Sequence, residues 1–172
     1  IGLSKLIANN TTITCLGVGI EQSGERRIKK LFVGLEKNTT IKTLSLFDFG
    51  ARHITTPIPN GFVEKLICDM YGADFLDIIN MLKDNTTLST LQIKGITSNP
   101  LNKEFEKYLC TASITTLDMY DCDYDMNDSL KSLMGNTRLS TLYLPLMLNY
   151  NYNRNDIRIN LSKYLLKNTL CK

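Results

Sequence analysis

The sequence has no tryptophan and a single histidine, His53, among its 172 residues. No run approaches the roughly 18 consecutive apolar residues of a membrane-spanning helix, and the opening residues are too few and too polar for a secretory segment. A glycine-rich phosphate loop is absent, His53 has no nucleophile motif beside it, and the acidic run from Asp118 to Asp125 lacks the order of a calcium loop. We therefore expect no membrane association, no enzyme activity, no cofactor and no bound metal.

Charge of one sign is not in large excess either, because 20 basic and 17 acidic residues give a formal net charge of +3. Nucleic-acid binders usually gather Lys and Arg into a stripe, whereas the densest basic cluster here, Arg26 to Lys30, fits the solvated face of a helix. The five cysteines are an odd number without C-x-x-C spacing, which favours free thiols and a reducing compartment. We expect no nucleic-acid partner and a cytoplasmic location, with secretion into a host cell as the alternative.

What the sequence does contain is a recurring phrase: Asn-Thr-Thr, an isoleucine or leucine, two residues, leucine, one residue and another apolar residue. Copies begin at Asn10, Asn38, Asn85 and, with Arg as the third residue, at Asn136; a fifth copy from Ile114 lacks the asparagine. A degenerate copy, from Asn60 to Cys68, fits between the second and third, although its apolar residues also fit a helix. The first apolar positions then fall at residues 13, 41, 63, 88, 114 and 139.

This L-x-x-L-x-L core, repeated about every 25 residues, resembles the leucine-rich-repeat family and its ribonuclease-inhibitor-like class. The resemblance covers nearly the whole chain. It implies an α/β leucine-rich-repeat solenoid, a horseshoe with a parallel sheet on the concave face and helices on the convex face. We expect one domain over residues 1–172, with about six repeats and incomplete units at both ends, as part of a longer protein. One departure is that only Cys122 supplies the Asn or Cys that the family carries eight residues after the first apolar position.

Helical periodicity predicts the segments between the strands. The predicted helices are Leu3–Ala8, Glu25–Glu36, Asp74–Lys83, Asn102–Leu109, Asn127–Met134 and Arg154–Leu166. The connector Ala51–Asn60 contains Pro57 and Pro59, which predict an extended or 3₁₀ conformation. The polar stretch Asn149–Asn155 predicts a surface loop.

The asparagines of the phrase stand where helices end. A residue that tolerates left-handed dihedrals can close a helix there, and this is our interpretation of Asn10, Asn38 and Asn85. The same triplets match the acceptor pattern of N-glycosylation, but a structural repeat generates that pattern without any glycan.

Alternation along each strand predicts three outward columns, one residue per unit. The first column is Cys15, Thr43, Lys65, Thr90, Thr116 and Thr141; the second is Gly17, Ser45, Ile67, Gln92, Asp118 and Tyr143; the third is Gly19, Phe47, Asp69, Lys94, Tyr120 and Pro145. Threonine suits a pleated surface, so the first column indicates lateral packing.

Exposed aromatic side chains surrounded by polar groups are typical of protein interfaces. The candidate partner-binding residues are Phe47, Asp69, Gln92, Lys94, Asp118, Tyr120 and Tyr143. These columns favour an interaction module that binds another protein through the concave sheet, for example the recognition segment of an adaptor or a pathogen effector. The alternative is an architectural repeat segment without a ligand, and open solenoid ends also allow self-association.

Overall fold

The computed structural model of this protein describes residues 2–20, 25–48, 56–70, 75–96, 103–120, 136 and 138–143. Within these ranges the elements in chain order are α1 (Leu3–Ala8), β1 (Cys15–Ile20), α2 (Glu25–Leu35), β2 (Thr43–Asp48), β3 (Lys65–Met70), α3 (Phe75–Leu82), β4 (Thr90–Lys94), α4 (Lys103–Thr111), β5 (Thr116–Tyr120) and β6 (Thr141–Tyr143). In the same ranges, no helix combines the length and the apolar character needed to span a bilayer.

The strands form one six-stranded parallel sheet in the order β1-β2-β3-β4-β5-β6. Every neighbouring pair keeps the predicted register, so that Cys15, Thr43, Lys65, Thr90, Thr116 and Thr141 are successive partners across the sheet. The degenerate copy from Asn60 to Cys68 therefore contributes a strand, and its helical alternative is wrong. An α/β chain whose parallel strands follow one another in sequence order fits a repeat fold. We call each strand, together with the helix or connector before it, a unit.

The core lies between the inward face of the sheet and the helices. The three apolar residues of the L-x-x-L-x-L core are at most 4% exposed in units 2 to 5; they are Ile41, Leu44, Leu46, Val63, Leu66, Cys68, Leu88, Leu91, Ile93, Ile114, Leu117 and Met119. Helices α2, α3 and α4 add apolar side chains to the same cluster. Unit 1 is different, because Ile13 is 44% exposed and Leu16 and Val18 are only partly buried. Its strand has a neighbour on one side only in the described sheet.

The described helices lie within two residues of their predicted bounds. Residues 56–60 contain no helix, as Pro57 and Pro59 predict, and the backbone N–H of Ile58 donates to the Met81 carbonyl at 2.7 Å. Predictions for residues 51–55, for the helices at 127–134 and 154–166, and for the insertion at 149–155 fall outside the described residues.

Asparagine side chains join the units. Asn38 is 2% exposed, and its Oδ1 accepts the backbone N–H groups of Thr40 at 2.9 Å and Ile41 at 2.7 Å. Its Nδ2 donates to the carbonyls of Ile7 and Asn10 in the preceding unit, both at 2.8 Å. The side-chain amide thus bonds both to the backbone just before its own strand and to the preceding unit. These bonds pair buried N–H and C=O groups, which would destabilise the fold if they were left without partners.

Asn85 repeats this arrangement. It is 4% exposed, accepts from the backbone of Thr87 and Leu88 at 3.1 and 2.9 Å, and donates to the Pro59 carbonyl at 3.0 Å. The backbone N–H groups of both asparagines also close the preceding helices by bonding three residues back. Closing a helix, the role expected from the sequence, is therefore only part of what these residues do.

A second set of bonds runs along the same edge of the sheet. The Thr14 carbonyl accepts the backbone N–H groups of both Lys42 and Thr43, at 2.8 and 3.0 Å. Carbonyls in the next four units repeat the pattern; they belong to Lys42, Glu64, Ser89 and Thr115. Each unit therefore offers the following one a fixed acceptor just ahead of its strand.

Candidate partner-binding face

The sheet face opposite the helices, which we call the open face, carries the three predicted columns. In the first column Thr43, Thr90, Thr116 and Thr141 are all half-buried. Side chains in successive strands stand about 5 Å apart and cover one another. This column is lateral packing, in agreement with the interpretation from sequence.

Phe47 is the most prominent apolar side chain near one end of the open face, with 37% of its surface exposed. Its neighbours across β1 are Gly17 and Gly19. The ring leans over Gly17, where an added Cβ would lie 3.2 Å from Phe47 Cε2. Because the two glycines carry no side chains, nothing from β1 covers the outer surface of the ring.

The centre of the open face holds an ion pair. Lys94 Nζ lies 3.1 Å from Asp69 Oδ2, with 33% of the lysine side chain and 22% of the aspartate side chain exposed. The other carboxylate oxygen, Oδ1 of Asp69, is buried and has no hydrogen-bond partner. Because the pair is partly buried, the cost of removing water from both charges offsets much of their attraction, so its main effect is to place opposite charges at fixed positions in the third column.

The second column continues the polar surface towards β6. Gln92 and Asp118 are half-buried neighbours in the register, and Asp118 is next to Tyr143. Tyr143 is 59% exposed. Tyr120 pairs with Lys94 through its strand position, but its side chain lies outside the described part of the structure, as does Pro145.

The structure therefore brings the predicted residues together as two adjacent rows. One row runs from Phe47 through Asp69 to Lys94, and the other from Gln92 through Asp118 to Tyr143. Two exposed aromatic rings flank a polar centre.

Groups with reactive side chains are placed elsewhere. Cys68 is a fully buried core residue, and burial raises the pKa of its thiol far above the usual range. Burial raises the pKa of Tyr108 to about 12, and its hydroxyl donates to the Leu82 carbonyl at 3.3 Å. Among the described residues no group of three His, Cys, Asp or Glu side chains could hold a metal ion. His53 and Asp121 to Asp125 lie outside those residues.

The sequence did not predict one exposed aromatic residue, Phe62, whose position in the repeat is occupied in most other units by a residue with a hydroxyl group. In units 2, 4 and 5 the residue before the first apolar position carries a hydroxyl that donates to a carbonyl of the preceding unit: Thr40 to Ile13 at 3.1 Å, Thr87 to Val63 at 3.4 Å and Ser113 to Leu88 at 2.6 Å.

Unit 3 has Phe62 at that position, 44% exposed, with Lys42 Nζ 5.2 Å from the ring centroid. Glu64 holds the same ammonium group at 2.6 Å. The break in a column of hydroxyl residues was the signal that could have identified Phe62 from the sequence.

No protein-family model matches the chain, and no curated protein matches it. Among solved structures it is similar to one titled as actin-binding site 2 of leiomodin-1, with 16% identity over 97% of this chain and 87% of that chain and a TM-score of 0.48. It is also similar to the C-terminal domain of tropomodulin from Caenorhabditis elegans, with 13% identity over 98% of this chain and 93% of that one and a TM-score of 0.38. Likenesses at these TM-scores decide neither fold nor function.

Proposed function

We propose that this chain is a leucine-rich-repeat solenoid of the ribonuclease-inhibitor-like class that binds another protein through its open face. The observation that carries this proposal is the pair of exposed aromatic residues, Phe47 and Tyr143, on a face whose polar centre is already ordered. In the horseshoe form of this fold, the open face is the concave one. Binding is then non-enzymatic, and the chain needs no cofactor of its own.

The spacing of the two rings limits the partner. Phe47 lies on β2 and Tyr143 on β6, four strand steps apart, and each step in a sheet measures about 4.8 Å. A partner that covers both rings therefore spans roughly 19 Å, which is the scale of a folded surface or of a helix of about 13 residues.

The polar centre limits the chemistry of that partner. The charges of Asp69 and Lys94 largely cancel, whereas Asp118 has no ion-pair partner among the described residues. A buried carboxylate needs a donor or a cation when water is removed. The partner is therefore expected to place two apolar groups against the rings and a Lys, Arg or backbone N–H against Asp118.

Affinity capture tests the proposal. The double variant Phe47→Ala, Tyr143→Ala is compared with wild type and with Val33→Ala, Leu76→Ala, a control that removes two apolar side chains of α2 and α3 that are 47% and 42% exposed. All three proteins must melt at similar temperatures. Proteins held by wild type and by the control, but lost from the open-face variant, would support the proposal.

Equal capture by all three proteins would overturn it. A chain that captures nothing from any lysate would favour the alternative, a purely architectural segment. Tyr120→Ala is added as a third substitution to test the remaining predicted aromatic residue.

We also propose that the chain functions where N-glycosylation does not occur, which agrees with a cytoplasmic location. Glycans attach to the side-chain nitrogen of asparagine, and Nδ2 of Asn38 and Asn85 is buried and bonded to backbone carbonyls of other units. Routing the chain through a secretory pathway should give glycosylated product that fails to fold. A folded product with glycan on either residue would contradict this assignment.

A further inference from the structure

The two exposed rings of the open face lie on a diagonal across the strands. The register pairs Tyr143 with Asp118, two residues before Tyr120, and Tyr120 is the position that continues the row of Phe47. Four strand steps of about 4.8 Å, and two residues of about 3.3 Å along a strand, place the two positions roughly 20 Å apart. The line that joins them is tilted by about 20° from the perpendicular to the strands.

The surface between the two rings is low. Ser45, next to the Phe47 row, is 6% exposed, and Ile67 and Gln92 in the same column are half-buried. Phe47 and Tyr143 are more exposed than these residues, at 37% and 59%. The open face is therefore a shallow surface with an aromatic ring at each end.

This surface presents side chains and no unpaired backbone. Strands β2 to β5 each have a strand on both sides, so their N–H and C=O groups bond within the plane of the sheet. An extended segment laid on the face would bring backbone groups that lose water and find no partner there, which is unfavourable. An α-helix pairs its backbone internally. The face therefore favours a helical segment over an extended one.

The dimensions of a helix match the diagonal. A helix advances about 5.4 Å per turn, and successive strands lie about 5 Å apart along the tilted line. Each turn would therefore place one side chain over each strand. The distance of roughly 20 Å between the rings corresponds to about 14 residues, or four turns, and residues 14 apart return to nearly the same side of a helix.

The charges of the face locate one further contact. Asp69 and Lys94 pair with each other at 3.1 Å, whereas Asp118 has no ion-pair partner among the residues that the structure describes. Asp118 lies one strand from Tyr143, a step of about 4.8 Å. A side chain three or four residues along a helix is displaced by about the same distance. A cation at that position would compensate the carboxylate when water is removed.

We propose that the element that binds the open face is an amphipathic helix of the partner, lying diagonally from β2 to β6. Apolar residues 14 apart in that helix cover Phe47 and Tyr143, and a Lys or Arg one turn from the Tyr143 end bonds to Asp118. The helix can run in either direction, which places the basic residue near the first or near the second apolar residue. This inference rests on the proposed function and specifies the partner's binding element.

Peptide display tests the pattern. The probe is a phage library of 20-residue, alanine-rich helical peptides with randomised residues along one side. The library is selected on the wild type and depleted on the Phe47→Ala, Tyr143→Ala variant. Enriched peptides should carry two apolar residues 14 apart and a Lys or Arg three or four residues from one of them. A library of the same length that contains prolines and cannot form helices should give no binders of comparable affinity.

A charge exchange tests the placement of the helix. Asp118→Lys should weaken the best peptide by about tenfold or more, and replacing the basic residue of the peptide by Glu should restore most of the lost affinity. Asp84→Lys makes the same change at an exposed carboxylate after α3 and should leave binding unchanged. Fluorescence anisotropy measures the affinities, and thermal melts show that each variant is folded.

No enrichment, binders without the pattern, stronger binders from the proline library, or an exchange that restores nothing would each overturn the helix. The proposed function is tested separately by capture of whole proteins. Capture that depends on Phe47 and Tyr143, combined with any of these results, would mean that a folded surface rather than one helix covers the open face.

Discussion

In the second and third units the repeated phrase begins with an asparagine, yet the two side chains bond in opposite directions. Asn38 is buried and donates back to Ile7 and Asn10 of unit 1. Asn60 is exposed and reaches forward instead, donating to the Asp84 carbonyl at 2.9 Å and accepting from the Thr86 backbone at 2.7 Å.

The difference follows from what precedes each asparagine. Helix α2 ends three residues before Asn38, and Asn38 is buried there with its Nδ2 bonded to the Ile7 carbonyl of α1. The stretch before Asn60 contains Pro57 and Pro59 and is tied through Ile58 to the end of α3. The asparagine of unit 3 therefore bonds to the unit after it, whereas the asparagine of unit 2 bonds to the unit before it. The same residue at the same place in a repeat joins different neighbours according to the local backbone.

The largest expected effect concerns the two asparagines themselves. Asn38→Ala removes the side-chain acceptor of the Thr40 and Ile41 N–H groups and one of two donors to each of the Ile7 and Asn10 carbonyls. It should lower the free energy of unfolding by about 3 kcal/mol, whereas Asn60→Ala, at an exposed residue, should cost less than about 1 kcal/mol. Urea unfolding of the two variants measures both values. Equal losses would show that the direction of bonding does not matter.

Asn38→Asp refines that result. It keeps the acceptor that holds Thr40 and Ile41 but turns a carboxylate oxygen towards the carbonyls of Ile7 and Asn10. We expect a loss at neutral pH comparable to that of the alanine variant, since a carboxylate has no proton to donate. A loss below about 1 kcal/mol would mean that the bonds to the preceding unit contribute little.

Two glycines give a matched pair of intermediate effect. A methyl group at Gly34 would clash with Ser4 and Ile7, whereas the nearest atom to one at Gly61 is the Leu35 carbonyl oxygen at 3.8 Å. Gly34→Ala should destabilise by about 2 kcal/mol through overpacking, and Gly61→Ala should change stability by less than about 0.5 kcal/mol. Thermal melts distinguish the two, and a neutral Gly34→Ala would contradict close contact between α1 and α2.

The smallest effect concerns the hydroxyl column. Thr40→Val removes the bond to unit 1 and should cost about 1 kcal/mol. Phe62→Thr restores the residue type of the other units at an exposed site and should stay within about 0.5 kcal/mol of wild type. If Phe62→Thr instead costs several kcal/mol in chemical denaturation, the aromatic ring is a packing residue of unit 3.

The sequence predicted the strands, their register and the inward residues because a period of two and a repeated phrase determine all three. Even the weak copy from Asn60 to Cys68 gave the right strand. The exposure of Ile13 could not be predicted, because Ile13 has the same phrase as Ile41 and differs only in that no described unit packs in front of it. The forward bond of Asn60 depends on a carbonyl in another unit, which local sequence does not specify.

The open-face residues were predictable for the same reason as the strands. Phe47, Asp69, Gln92, Lys94, Asp118 and Tyr143 all occupy the outward positions expected from alternation. What alternation could not supply was the Asp69–Lys94 contact or the bare surface beside Phe47, since both depend on the side chains of neighbouring strands.

Site-specific photo-cross-linking tests the central claim, a partner on the open face, most directly. A benzophenone amino acid is placed in turn at positions 47 and 143 on the open face and at positions 33 and 76 on α2 and α3, and each protein is irradiated in cell lysate. We predict that the same partner becomes attached from positions 47 and 143 and from neither helix position. Attachment from positions 33 and 76 alone, or equally from all four, would contradict the account.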